Sequence, residues 1–524
     1  MKKVLAIAAV MMATMPMAAQ ETYENAKLHS NDLTGTARYV GMGGAMEALG
    51  ADISTIGTNP AGIGLFRKSS ANLSLGIINQ QDANDFGGGR TTNVSFDQLG
   101  FVYSTRTSPT GFLNFAFNYH KSRNFNYILS AADRLSNASQ NKLTYAKDKN
   151  DLLFELDNEG QPDFERPYYQ CNQLDDIYET GYYGKMWWYD GQNADNPWFY
   201  DPVMNANSYT MDRRHWGYIA DYDFNISGNI NNRVYLGMTI GIHDVHYKHY
   251  SEYIERFNVG SPISVVDDRE ISGSGADVKL GIIFRPVEYS PFRIGLSVST
   301  PTWYDLETRN QLKMDDGGVA NRHDAYEFKL YTPWKFGLSL GHTVGDYLAL
   351  GASYEFADYG TMDSRIKTGA RYSHYYGDYY EETTSDSEMN RHTSATLRGV
   401  STLKLGAEFK AAPEVAVRLG YNYVSPMYKK DGMKDGTIDS PASYYSSATD
   451  FTNWEATHRI TCGLGIQIDN VNLSAAYQYS AQNGYFEPFM SYYDDTNPAD
   501  DNIANAVKVS NKRHQLLLTA TYTF

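Results

Sequence analysis

The feature that most constrains the fold is a two-residue alternation of apolar and polar side chains, which recurs in about fourteen segments of the chain. One such segment carries its apolar side chains at every second position, at Val234, Leu236, Met238, Ile240 and Ile242. Successive side chains of a β-strand point to opposite faces of the sheet. Each segment is therefore predicted to be a strand with one apolar face and one polar face.

The polar faces of these strands differ from those of a soluble β-sandwich. They carry mainly Gly, Ser, Asn and Thr, with scattered charges that include Lys279, Lys404, Glu408 and Arg418. The apolar faces carry large aliphatic and aromatic side chains, and many of the apolar runs end in Tyr. A transmembrane β-barrel has this pattern, because its apolar face contacts lipid and its polar face lines the lumen. The mean hydropathy of −0.50 suits such a barrel, in which only every second strand residue is apolar.

The spacing of the segments supports the same interpretation. We predict strands at 71–80, 96–105, 112–120, 214–228, 232–248, 273–287, 291–303, 325–343, 346–357, 396–411, 414–424, 456–468, 471–481 and 513–524. Tight turns alternate with long loops along the chain, and the largest loop covers about 121–213. The prediction is an all-β protein in which 71–524 form a 14-stranded antiparallel transmembrane β-barrel with long extracellular loops.

The beginning of the chain predicts export. Lys2 and Lys3 precede an apolar run that is too short to span a bilayer, and Ala18 and Ala19 provide small residues for cleavage. We therefore expect residues 1–20 to be a signal peptide and the protein to lie in the outer membrane of a diderm bacterium. The net charge of −16 argues against a nucleic-acid partner, because phosphate binding requires an excess of Lys and Arg.

The final predicted strand, 513–524, ends on the aromatic residue Phe524. A terminal strand that ends in this way resembles the signal by which outer-membrane assembly machinery recognises its clients. We therefore expect that machinery to be a partner of the chain, through Phe524.

The stretch 35–66 is rich in Gly and small residues and shows a period of neither 2 nor 3.6. A wide barrel has a lumen that must be filled, and glycines such as Gly41, Gly43 and Gly44 allow a segment to approach a wall closely and to bend. We therefore predict that residues 21–70 form a plug inside the barrel.

Within this stretch, Asp52, Ser54 and Thr55 are followed by Asn59-Pro60-Ala61-Gly62. The run resembles the D-x-S-T-x-x-x-N-P-A-G hatch motif of the FadL/TodX family of outer-membrane transporters of long-chain fatty acids and other hydrophobic compounds. A second similarity covers three runs, 330–337, 345–347 and 355–359. The leader, hatch, strands and terminal Phe together cover nearly the whole chain, although most strands match the family only in pattern.

The resemblance implies transport without catalysis. Family members capture a hydrophobic ligand at extracellular loops, pass it to a site inside the barrel and release it sideways into the membrane when the hatch shifts. It also implies that Asp52, Ser54, Thr55 and 59–62 form the hatch. A wall opening near a kink in the third strand is implied as well, and Gly111 and Asn114 are candidates for it. We expect a monomer whose partners are a fatty acid-like ligand and outer-membrane lipid, with no cofactor and no catalytic residue.

The loop 121–213 leaves an alternative function open. Its aromatic residues include Trp187, Trp188 and Trp198, which can stack on sugars, catch an amphipathic ligand or pack within a lid. The chain could then be an outer-membrane binding or assembly barrel that recognises glycan, haem or secreted protein cargo. Haem would need a ligand such as His243. A metal shared by His243 and His249 is not expected, since six strand residues separate them by roughly 20 Å.

Overall fold

The computed structural model describes residues 22–30, 32–140, 142, 205–258, 262–314, 322–373, 378–434, 438, 440, 449–491, 493 and 497–524, and the backbone of four short strands within 154–200. The segment predicted as a signal peptide, 1–20, lies outside this range. Among the described residues, no helix is both long enough and apolar enough to cross a membrane.

The helices are short. They are α1 (Thr22–His29), α2 (Ala37–Gly41) and α3 (Ser387–Thr396), with 3-10 helices at Ile53–Gly57, Pro60–Leu65, Tyr359–Thr361 and Pro498–Asp500. The strands are β1 (Ser70–Gln81), β2 (Thr92–Arg106), β3 (Phe112–Asn124), β4 (Tyr127–Arg134), β5 (Phe154–Leu156), β6 (Pro162–Pro167), β7 (Trp187–Tyr189), β8 (Trp198–Tyr200), β9 (Ala206–Ile230), β10 (Val234–Phe257), β11 (Ile263–Phe284), β12 (Arg293–Ser299), β13 (Trp303–Met314), β14 (Arg322–Tyr331), β15 (Lys335–Val344), β16 (Leu348–Asp358), β17 (Asp363–Ser373), β18 (Asp378–Ser385), β19 (Gly399–Ala412), β20 (Val415–Val424), β21 (Phe451–Ile468), β22 (Val471–Glu487) and β23 (Val507–Thr523).

The strands form one closed antiparallel barrel. Each strand of the wall pairs with its neighbours, and β1 pairs with β23 from Ser70↔Thr523 to Gln81↔Lys512, which closes the sheet. The barrel has fourteen strand positions in the described part of the chain, as predicted. Five positions consist of two strands in line: β3 with β4, β12 with β13, β14 with β15, β16 with β17, and β18 with β19.

The two faces of the wall follow the predicted alternation. On β1, Leu73, Leu75 and Ile77 are exposed on the outer surface, whereas Asn72 and Ser74 are buried on the inner side. The same pattern recurs around the wall. An outward apolar belt above a polar interior is the arrangement that a lipid-facing barrel requires.

The N-terminal segment (22–66) lies against the inner face of this wall. Part of it follows a row of inward glycines on eight neighbouring strand positions, which we call the glycine belt: Gly237, Gly281, Gly295, Gly341, Gly351, Gly406, Gly420 and Gly463. Four of these glycines are consecutive cross-strand partners, from Gly341 through Gly351 and Gly406 to Gly420. The belt extends without interruption in strand order from β10 to β21.

The belt places backbone against backbone. A Cβ added at Gly351 would overlap the carbonyl oxygen of Ala45, and one at Gly406 would overlap that of Met42. At Gly237 an added Cβ would overlap the carbonyl group of Pro60. A side chain at these positions would therefore push the N-terminal segment away from the wall.

We predict that Gly351→Ala destabilises the protein by about 1–3 kcal/mol, because the added methyl group overpacks the contact with Ala45. Thermal unfolding, followed by the heat-induced mobility shift on gels, measures the change. Gly228→Ala is the matched control, since the nearest atom to an added Cβ there lies 4.0 Å away. Equal melting temperatures for the two variants would contradict the close packing of the belt.

Candidate functional site

The first half of the hatch motif folds onto itself through side-chain caps. Asp52 precedes the 3-10 helix Ile53–Gly57, and its Oδ1 accepts a hydrogen bond of 3.0 Å from the amide of Ser54. Its Oδ2 accepts one of 2.7 Å from the hydroxyl of Thr36. The hydroxyl of Thr55 donates to the carbonyl oxygen of Asp52 at 2.7 Å. These three motif residues fix the local turn, as N-caps do in general.

The second half of the motif also begins with a side-chain cap on a 3-10 helix. Asn59 caps the 3-10 helix Pro60–Leu65, where its Oδ1 accepts from the amide of Ala61 at 3.2 Å. Pro60 occupies the first helical position. A backbone N–H at this position has no acceptor within the helix, so proline, which lacks this N–H, loses no hydrogen bond there. Gly62 packs against Thr55, so that an added Cβ would overlap the Thr55 side chain. The structure therefore brings the predicted motif residues together in one compact double turn.

Buried ion pairs attach the N-terminal segment to the wall. The carboxylate of Glu47 lies 2.7 Å from the ammonium of Lys404 and also accepts from the hydroxyl of Ser353. Both side chains of the Glu47–Lys404 pair are more than nine-tenths buried.

A second attachment uses two guanidinium groups on one carboxylate. Arg38 of α2 lies 2.8 Å from Glu408 of β19, and Arg418 of β20 lies 2.6 Å from the same carboxylate. Lys404, Glu408 and Arg418 belong to the scattered charges of the predicted inward face. Their partners could not be inferred from the alternation.

A cavity of about 290 Å³ lies inside the barrel, lined by the N-terminal segment and the inner face of the wall. One part of the lining is aromatic: Tyr23, Phe125, Tyr127, Tyr247, Tyr304, Tyr359, Tyr428, Phe451 and Trp454. Another part is charged: Asp32, Arg123, Arg213, Asp221, Asp277, Lys279, Arg459 and Arg513. A cavity with both kinds of surface suits an amphipathic molecule better than a purely apolar one.

Asp32 lies at the centre of a cationic cluster in this lining. Its carboxylate oxygens lie 3.1 Å from Arg123, 3.9 Å from Arg459 and 4.0 Å from Arg513. Burial raises the pKa of the Asp32 carboxyl, but the guanidinium groups outweigh this effect, so that this pKa lies below its ordinary value. No sequence pattern marks these residues, because they meet only in the folded barrel.

His243, the candidate haem ligand, and His249 both lie beside carboxylates. The Nδ1 atom of His243 lies 2.8 Å from Asp221, and its Nε2 atom lies 3.2 Å from Asp277. His249 lies 3.0 Å from Asp267. Among the described residues, no group of three or more potential ligands could hold a metal ion. The Nδ1 atom of His243 is thus hydrogen-bonded to Asp221, whereas its Nε2 atom lies beside Asp277 without a hydrogen bond.

The wall is interrupted between β2 and β3. Their ladder runs from Arg106↔Phe112 to Gln98↔His120 and then stops, although β2 continues to pair with β1 as far as Thr92. From Lys121 to Asn124, β3 pairs with β9 and with no other described strand, and a bulge lies between Lys121 and Arg123. We call this interruption, between 92–97 of β2 and 121–124 of β3, the wall gap.

Strand β3 turns inward above the gap. The ring of Phe125 is buried 4.9 Å from that of Tyr247 on the inner face. Beyond the turn, the backbone of Ile128 in β4 exchanges hydrogen bonds of 2.7 and 2.8 Å with the side chain of Gln80 in β1. The cavity lining includes Asp97 and Lys121, which flank the gap. The cavity therefore reaches the interruption in the wall.

The positions suggested for a wall opening, Gly111 and Asn114, lie elsewhere. Gly111 precedes β3 at its turn with β2, and Asn114 is paired with Ser104 on one side and Ser227 on the other. The amide of Asn114 donates to the carbonyl oxygen of Ile63 at 2.7 Å. The wall is continuous at Asn114 because both ladders are complete there, and the position of an opening for ligand stays a prediction.

The tryptophans proposed for ligand capture lie on two short strands. β7 (Trp187–Tyr189) pairs antiparallel with β8 (Trp198–Tyr200). The side chains of Trp187, Trp188 and Trp198 lie outside the described residues. Their role in capture stays a prediction.

We predict that Glu47→Gln lowers the free energy of unfolding by about 3 kcal/mol, since it leaves the buried Lys404 ammonium without its closest carboxylate. Limited proteolysis of the N-terminal segment and thermal unfolding both report the loss. Glu270→Gln is the control, because its pair with Lys248 is solvent-exposed and contributes little. If both variants behave like the wild type, Glu47 does not attach the segment to the wall.

Comparison with known proteins agrees with this architecture. No family model and no curated protein sequence matches the chain. A solved structure of a Pseudomonas aeruginosa FadL homologue is similar, with a TM-score of 0.50, 13% identity, and coverage of 94% of this chain and 99% of that one. The Ralstonia pickettii toluene transporter TbuX aligns with a TM-score of 0.48 and 11% identity, over 94% of this chain and 99% of that one. The chain thus shares the fold of the P. aeruginosa FadL homologue.

Proposed function

We propose that this chain transports amphipathic hydrophobic molecules, of the long-chain fatty acid type, across the outer membrane of a diderm bacterium. The observation that carries the proposal is a lumenal cavity that reaches a gap in the barrel wall. The outward apolar belt and the fold shared with a FadL homologue support the location. In this proposal, residues 1–20 direct export, Phe524 directs assembly, and the protein acts as a monomer.

The lining of the cavity supports an amphipathic ligand. The aromatic surface provides contact area for an aliphatic or aromatic body, and aromatic side chains bind such groups without a hydrogen-bonding requirement. The charged surface would be costly to cover with a wholly apolar molecule, because its groups would lose water without gaining partners. A polar head group on the ligand removes that cost.

The N-terminal segment supports exit through the wall gap rather than into the periplasm. From strand position β10 to β21, the glycine belt brings its backbone into contact with the wall. The pairs Glu47–Lys404 and Arg38–Glu408 attach it further. We assign to this segment the role of a plug whose motif residues, from Asp52 to Gly62, remain seated during transport.

The part of the segment nearest to the gap is attached differently. The linker 32–36, which precedes α2, contacts β3 where that strand turns inward: the amide of Asp32 donates to the carbonyl oxygen of Ser122 at 2.9 Å. We propose that movement of this linker, and not of the whole plug, opens the path from the cavity to the gap. The gating role is thereby assigned to 32–36.

We predict that bridging the wall gap blocks transport. The variant Ser95→Cys/Lys121→Cys, with Cys171 and Cys462 replaced by serine, is treated in cells with a reducible bifunctional thiol reagent. Uptake of radiolabelled oleate should fall at least about fivefold, because the bridge closes the only proposed exit, and reduction should restore it.

The matched control bridges strands below the gap. Thr105→Cys/Leu113→Cys joins two residues that are already opposite each other in the β2–β3 ladder, so its uptake should not change. Unchanged uptake after complete bridging of the gap itself would rule out lateral exit by this route.

A further inference from the structure

Three neighbouring tight turns of the barrel carry basic residues in excess. They join β2 to β3, β9 to β10 and β11 to β12, and these six strands occupy consecutive positions in the wall. Two further basic residues precede β1, which is the neighbour of β2. Together they form a surface that we call the basic turn patch: Arg67, Lys68, Arg106, Arg233 and Arg285.

The hydrogen bonds of the patch go to neutral oxygen atoms. Arg106 donates to the carbonyl oxygens of Ser108 and Pro109 at 3.0 and 2.7 Å. Arg285 donates to the carbonyl oxygen of Ser290 at 3.0 Å. Among the described residues, no carboxylate forms an ion pair with any member of the patch. Carbonyl oxygens orient a guanidinium group without neutralising it, so the patch keeps its positive charge.

The excess of positive charge is confined to one side of the tight-turn end. The three turns of the patch contain a single carboxylate, that of Glu288. On the other half of the wall, the turns β15–β16, β19–β20 and β21–β22 each carry a carboxylate instead, from Asp346, Glu414 and Asp469. The whole chain has a net charge of −16, so a group of five cations without ion pairs is not explained by the composition.

The patch lies at the edge of the lipid-facing belt. Tyr103 and Ile230 are half-exposed on the outer surface, and Arg106 and Arg233 each follow one of them by three residues. Three strand residues span roughly 10 Å along the strand, and less along the membrane normal because barrel strands are tilted. Arg233 is closer still, since its amide donates to the carbonyl oxygen of Ile230 at 3.0 Å. This is the depth of the lipid head groups, which border the hydrocarbon core.

The β11–β12 turn adds an exposed apolar tip to the patch. Tyr289 is 93% exposed and Val287 is 58% exposed. Tyrosine is enriched at the boundary between lipid and water, where its ring contacts the acyl chains and its hydroxyl contacts the head groups. Cations next to such a tip are typical of surfaces that bind an anionic membrane. The location and the composition of the patch thus favour lipid over a soluble protein as its partner.

We propose that the basic turn patch binds the head groups of anionic phospholipids in the inner leaflet of the outer membrane. The inference rests on the proposed membrane location, and it is independent of the transported ligand. Arginine and lysine bind phosphate through charge-assisted hydrogen bonds, and the attraction of several cations adds up at an anionic lipid surface. Because the other half of this end is acidic, anionic lipid is expected to surround the barrel unevenly.

The test compares two lipids by native mass spectrometry of the full-length protein, released from a nonionic detergent. The probes are phosphatidylglycerol and phosphatidylcholine with identical acyl chains. The wild type should bind phosphatidylglycerol at least about fivefold more tightly, because only this lipid carries a net negative charge. Equal binding of the two lipids by the wild type would overturn the proposal, and an acidic periplasmic protein would then be the better candidate for the patch.

The variant Lys68→Gln/Arg106→Gln/Arg233→Gln removes three charges from the patch. Its preference for phosphatidylglycerol should fall below about twofold, whereas its binding of phosphatidylcholine should not change. The heat-induced mobility shift on gels confirms that the variant is folded. An undiminished preference in the folded variant would contradict binding at this surface.

The matched control removes the same charge from the opposite end of the barrel. Arg134→Gln/Arg256→Gln/Lys430→Gln replaces three exposed side chains at the long-loop end, and it should keep the lipid preference of the wild type. If both triple variants lose the preference equally, net charge and not the patch selects the lipid, and the proposal is refuted.

Reconstitution separates this inference from the proposed location. A wild type that enters liposomes but binds the two lipids equally refutes the patch as a lipid site, while the membrane location stands. A wild type that enters liposomes of neither lipid contradicts the membrane location itself, and the lipid site with it.

Discussion

The closed ladder of backbone hydrogen bonds is the constraint on which the rest of the structure depends. A wall that faces lipid must pair its amide and carbonyl groups internally, and the pairing of β1 with β23 removes the two free edges. The wall gap is a local departure from that rule. Its cost is limited because β3 turns inward, where the polar groups of Asp32 and Gln80 bond the diverted backbone. The gap is therefore maintained by contacts from inside the barrel.

The interior combines two kinds of attachment that serve different purposes. Along most of the glycine belt, the N-terminal segment and the wall meet through backbone atoms, a contact that tolerates little rearrangement because any shift opens a void or causes an overlap. At Asp32, the attachment consists of ion pairs instead, since three guanidinium groups of the wall lie within 4.0 Å of its carboxylate. A single short segment is thus held by close packing in one part and by charges in another.

The alternation of apolar and polar residues predicted the number of wall strands well, but it predicted the full length of the longer strands poorly. β9 extends from Ala206 to Ile230, whereas the pattern indicated only 214–228. In the missed part the buried side chains include Tyr209 and Met211 and the residues between them are polar, so the outward face is no longer the apolar one. The inward turn of β3 contains neither Pro nor Gly, and its one local feature is Asn124, whose side-chain oxygen accepts from the amide of Asn126. The turn also depends on Asp32, from a distant part of the chain. The hatch motif was visible because its caps are local, whereas the arginine cluster required the folded barrel.

The seam between β1 and β23 also restricts the order of assembly. The amide of Phe524 donates to the carbonyl oxygen of Ser69, immediately before β1 begins at Ser70. The two strands of the seam are far apart in sequence, so their pairing is expected to be slow and late. Before the seam closes, the sheet is open and the N-terminal segment can reach the inner face from the side; afterwards the wall encloses the segment along the glycine belt. The order in which the seam closes and the segment is seated therefore decides by which route the segment enters the barrel.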